Sequence, residues 1–136
     1  MQLPRIFNLG ETIVTDAVIA DCGMTKQALS EVLRTSRPTL VRYDSIAYYS
    51  VPDYKDDYPA YPREQWLVKK AKHDRTVPLS PYQIWVLSGV QICFNFYGKK
   101  EPTETYIKKN SYIFSRSRYE QRLRQLANTA NSAKAS

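Results

Sequence analysis

Residues 80–98 limit what this chain can become. Ser80-Pro81-Tyr82-Gln83 opens the stretch with three helix-start signals at once. Ser80 can accept a hydrogen bond from a first-turn N–H, and Pro81 stands where a missing N–H costs nothing. Gln83, at the third helical position, can reach back to the cap backbone. No residue from there to Gly98 is charged, and after Gln83 the polar side chains are Ser88, Gln91 and Asn95. Those three recur at i, i+3 and i+7, a narrow stripe on an otherwise apolar cylinder. The spacing predicts a helix ending at Gly98 and covered nearly all round, inside a domain or at a subunit interface. Ile84 to Phe96 is also rich in β-formers, so a strand hairpin turning at Ser88-Gly89 is the competing reading.

The wrapping must come from a chain of 136 residues, enough for one compact domain with a tail. Hydrophobic residues make up 43% and charged residues 24%, which excludes a wholly disordered chain. The full uncharged run, Thr76 to Gly98, holds Ser, Gln and Asn besides two prolines, so it does not read as a lipid-spanning helix, and no membrane is expected. Met1 to Gly10 has one Arg and no apolar core, so no signal peptide is expected and the location reads as cytoplasmic. Cys22 and Cys93 sit in apolar patterns and read as reduced core thiols. His73 is the lone histidine. A metal cluster or His-based triad needs more partners, so no metal, cofactor or enzymatic activity is expected. Asp53, Asp56 and Asp57 form the one carboxylate cluster, with Lys55 among them, and read as a solvated turn rather than a Mg²⁺ site.

Along the chain, 1–10 reads as extended, and 11–22 as a helix stopped at Gly23. Thr25 caps a second helix whose buried stripe is Ala28, Leu29, Val32 and Leu33. Ser36 caps a third, with Pro38 in its first turn and Leu40, Tyr43, Ile46 and Ala47 facing inward. An irregular Tyr/Pro-rich stretch follows. Six tyrosines fall between Tyr43 and Tyr61; they read as packing against the helices with hydroxyls at the surface, the alternative being base stacking. Glu64 to Lys72 reads as a short basic helix, 101–128 as one or two more helices, and 128–136 as a disordered tail. The expected fold is mainly α: an N-terminal three-helix unit over 11–50, then C-terminal helices over 51–127.

The string Gly23-Met24-Thr25-Lys26-Gln27-Ala28-Leu29-Ser30, continued by Ser36-Arg37-Pro38-Thr39-Leu40-Val41-Arg42-Tyr43, resembles the helix-turn-helix superfamily of DNA-binding proteins. Two registers fit. In one, similar to the DNA-binding domain of serine recombinases and resolvases, Lys26–Leu33 supports a recognition helix opening at Ser36. Ser30 is then the small residue at the helix crossing, and Arg34 stands where the turn usually holds Gly. In the other, similar to repressor/Cro-type regulators, Val14–Asp21 supports a recognition helix opening at Thr25. The resemblance implies major-groove docking. It gives Arg37 and Arg42, read as lying on one exposed face, to guanine or phosphate, and Ser36 and Thr39 to backbone or base edges. Thr25, Lys26 and Gln27 take those roles in the second register. It covers 20 to 40 residues and carries no recombinase activity.

Charge is divided unevenly. The formal net charge is +7; residues 1–98 hold 11 basic and 10 acidic groups, residues 99–136 hold 9 and 3. Arg118, Arg122 and Arg124 surround an apolar stripe of Tyr119, Leu123 and Leu126 and are candidates for phosphate contact. The expected protein is a sequence-specific binder of double-stranded DNA in transcriptional regulation, acting as a homodimer. The alternatives are a phage or plasmid packaging factor similar to a small terminase subunit, acting as a ring, and an RNA-binding accessory protein using the basic arm and tyrosines.

Overall fold

The computed structural model of the chain describes residues 23–135. The described part is mainly helical: α1 (Lys26–Val32), α2 (Arg37–Ser50), α3 (Trp66–Lys69), α4 (Pro81–Tyr97), α5 (Lys100–Lys109) and α6 (Arg116–Ala135), with 3-10 turns at Tyr54–Asp57, Arg63–Gln65 and Ser111–Phe114. The helix read over 11–22, the extended stretch 1–10 and Cys22 lie outside these residues, so two helices of the expected three-helix unit are in view. No helix among them is long and apolar enough to cross a membrane.

Helix α4 is the axis of the fold. Ser80 and Gln83 form the reciprocal capping box, Pro81 opens the helix, and Gly98 ends it at φ 76°. The helix is continuous through Ser88-Gly89, which sets aside the hairpin reading. Tyr82 to Val90 are all buried, whereas Asn95 and Phe96 in the last turn are exposed. Helices α2, α5 and α6 and the turn at Tyr54–Asp57 pack around it. The polar stripe has separate uses. Ser88 Oγ donates to Trp85 O at 2.7 Å, and Gln91 Nε2 donates to Leu33 O at 3.0 Å, tying the axis to the α1–α2 turn.

The α1–α2 pair forms as its caps require. Thr25 accepts from Ala28 N, and Ser36 accepts from Thr39 N. Ser30, at the crossing, is buried and donates to Gln27 O at 2.6 Å. The reversal is made by Arg34 in the left-handed region at φ 55°, closed by Thr35 N donating to Ser30 O at 2.9 Å. Arginine thus fills a position that glycine occupies without steric cost.

The 51–80 segment differs from expectation in two ways. Tyr54 and Tyr58 do not present their hydroxyls to solvent; both donate to Asp44 inside the molecule. The aspartate cluster is not a solvated turn either. Asp53 accepts from Arg116 N at 3.0 Å, and Asp57 pairs with the Arg116 guanidinium and accepts from Ser80 Oγ. These carboxylates hold the first turn of α6 beside the first turn of α4, a placement favoured by the positive end of a helix. The basic helix read over 64–72 is a 3-10 turn running into the one-turn α3. Helix α6 continues through Ala135, where composition reads as a disordered tail from 128. That stretch has no Gly or Pro, and Ala127, Ala130, Ala133 and Ala135 have the highest helix propensity.

Candidate nucleic-acid interface

Asp44 organises the site. It lies on the inner face of α2 and is 1% exposed. A buried carboxylate needs its oxygens satisfied. Oδ1 accepts from the hydroxyls of Tyr54 at 2.5 Å and Tyr58 at 2.6 Å. Oδ2 accepts from Arg75 Nε at 3.0 Å and Nη2 at 2.5 Å. Burial opposes the Arg75 charge, but the Asp44 carboxylate and its hydrogen bonds outweigh it and raise the Arg75 pKa above its ordinary value. Burial, with Asp44 beside them, raises the pKa of both tyrosines.

An open groove of about 560 Å³ lies over this cluster. One wall is Thr25, Lys26 and Gln27 at the start of α1. The second is Arg37, Val41, Asp44 and Ser45, successive turns of one edge of α2. The third is Arg75 to Pro78. Lys26 Nζ donates to Arg75 O and lies 5.2 Å from the centre of the Tyr58 ring. Burial lowers the Lys26 pKa; the Asp44 charge opposes this, and the charges of Arg75 and Arg37 add to it. Lys26, Arg37 and Arg75 thus meet Asp44 in the groove, with the Asp74 carboxylate also acting on Lys26. Among the described residues Arg37 is exposed and makes no ion pair.

The residues singled out in the sequence separate into three places. Thr25, Lys26, Gln27 and Arg37, drawn from both registers, line the groove together. Ser36 and Thr39 are occupied with each other: Ser36 Oγ donates to Thr39 Oγ1 at 2.8 Å and accepts from Thr39 N at 3.2 Å. Arg42 is exposed, but five residues of helix carry it about 140° round from Arg37. The two arginines therefore flank the exposed arc of α2 instead of sharing one face. Arg118, Arg122 and Arg124 lie on α6, which packs against α4. Arg118 and Arg124 are exposed, and Arg122 Nη1 donates to Gln125 Oε1 at 3.2 Å.

Arg75 and Asp44 are missing from the sequence reading. Asp44 carried a signal, a charge one residue after Tyr43 and four after Leu40 on the apolar stripe. Its partner stands 31 residues later and has no local pattern. Comparison of the chain with protein-family models, curated proteins and solved structures finds no match.

Proposed function

We propose that this protein binds double-stranded DNA sequence-specifically in transcriptional regulation, laying the start of α2 in the major groove. The observation that carries the reading is the groove in which Lys26, Arg37 and Arg75 converge across a capped helix–turn–helix pair. Arg37, at the first helical position of α2, reads a base edge, guanine O6/N7 being the acceptor pair that fits a guanidinium. Lys26 and Arg75, held deeper, take backbone phosphate. Ser36 and Thr39 serve the cap instead of the bases. Arg42 reaches the far edge of the same groove of DNA, and Arg118 and Arg124 add phosphate contacts whose strength depends on salt.

Two half-sites would suit a homodimer. Selection of bound duplexes from a random pool tests the reading: a recovered common site supports it, and a palindromic one supports the dimer. A pool with no enriched site overturns it. Recovery of single-stranded RNA in preference to duplex favours the RNA-binding role, and a large ring by mass photometry favours packaging.

A further inference from the structure

Between Pro59 and Asp74 the chain leaves the helical body and returns to it. The stem is closed by an antiparallel bridge between Ala60 and His73, with Tyr61 N donating to Lys72 O and Asp74 N to Pro59 O, each at 2.8 Å. At the tip is the single turn of α3, stopped by Lys70 at φ 54°. Leu67 is 91% exposed and Val68 81%, the most exposed large apolar side chains among the described residues.

The tip is held in place. Trp66 Nε1 donates to Tyr61 O at 2.9 Å, and Ala71 N donates to Trp66 O at 3.2 Å. Arg63 and Lys72 lie 5.9 and 5.1 Å from the Trp66 ring centre, and Lys69 lies 5.6 Å from that of Tyr61. Four cations, Arg63, Lys69, Lys70 and Lys72, thus flank Leu67 and Val68 along the tip, with Glu64 the one acid between Tyr61 and Lys72 and Asp74 beside Tyr61 and Lys69 at the stem. The stem is fastened beside the groove. The Tyr48 hydroxyl is 2.6 Å from His73 Nδ1, and the Arg75 guanidinium covers the Tyr48 ring at 4.6 Å while lining the groove.

We propose that this tip is a second contact to duplex DNA: Leu67 and Val68 enter the minor groove as an apolar wedge and open a base step. The proposal rests on the DNA-binding reading above. Its cationic collar selects a polyanion. In a duplex, the apolar surface an aliphatic wedge can bury is the face of a base pair, reached where a step unstacks, and minor-groove wedges of Leu, Ile or Phe kink DNA by about 20–90°. A stem ordered before binding spares the wedge the entropy of being ordered on contact.

The test uses the full chain, a duplex recovered by selection and labelled with a donor and an acceptor at its ends, and the Leu67→Ser/Val68→Ser double variant. Both positions are exposed, so the variant keeps the fold. Wild type should raise energy transfer between the ends. The variant should still bind through the contacts around Arg37 yet leave the duplex straight. A duplex bound but unbent by wild type, or bent equally by both proteins, overturns the wedge and leaves the DNA-binding reading standing. Failure of wild type to bind any duplex overturns both. Sedimentation with phosphatidylserine vesicles that the double substitution abolishes reassigns the tip to a lipid surface and overturns its assignment to DNA.

Discussion

Asp44 shows how one side chain sets the geometry of a site. Its two oxygens gather Tyr54, Tyr58 and Arg75 from a segment with little regular structure of its own, and Arg75 in turn closes the groove over α2. Asp44→Ala leaves a half-buried guanidinium and two tyrosine hydroxyls without their acceptor, and should cost about 3–5 kcal/mol in denaturant unfolding. The tyrosines give a pH signature. With folded pKa values raised above the ordinary 10.0, Tyr54 and Tyr58 keep protons that the unfolded chain gives up. Their contribution is therefore complete below pH 10.0 and is lost as pH rises above it. Ultraviolet titration should show some tyrosines ionising early and a buried set ionising together with loss of helical circular dichroism. Smooth titration of every tyrosine near pH 10.0 with the helices intact would contradict the cluster. Composition told little of this, because a tyrosine in a proline-rich stretch looks alike whether its hydroxyl meets water or a carboxylate.

At the scale of elements, legibility followed local chemistry. The bounds of α4, its capping box and its Gly98 stop were readable because cap, proline and glycine act within a few residues of sequence. The caps at Thr25 and Ser36 were readable for the same reason. The docking of Asp53 and Asp57 on α6 was not, because its partner Arg116 lies about sixty residues away, and the one-turn α3 was not, because no glycine marks the left-handed stop at Lys70. Gly89 reads as a possible turn in the sequence, and in the fold it is a point of close approach. A Cβ there would stand 2.5 Å from Phe114 Cε1, and Phe114 is itself fully buried. Gly89→Ala should therefore destabilise by about 1–3 kcal/mol through overpacking, despite alanine's better helix propensity. Arg34→Gly should act oppositely, relieving the left-handed strain and raising stability by up to about 1 kcal/mol. Thermal unfolding of the two variants checks both signs.

Across the whole molecule, charge and shape are divided between two regions. The capped helix pair holds a local concentration of cations in a segment of nearly balanced charge, while the excess resides in residues 99–136. Arg118→Gln with Arg124→Gln should therefore weaken duplex binding about equally for all sequences. It should also lower the salt slope by up to about 1.8. An unchanged slope would remove α6 from the interface. The central claim is that the groove beside Arg37 reads sequence, and it is tested most directly by the ratio of affinities for a selected duplex and an unrelated one, measured for wild type and Arg37→Ala. Arg37 is exposed and without an ion pair among the described residues, so its removal leaves the fold intact. The ratio should fall by about 5- to 150-fold, the loss of about 1–3 kcal/mol of base discrimination. An unchanged ratio would contradict the account.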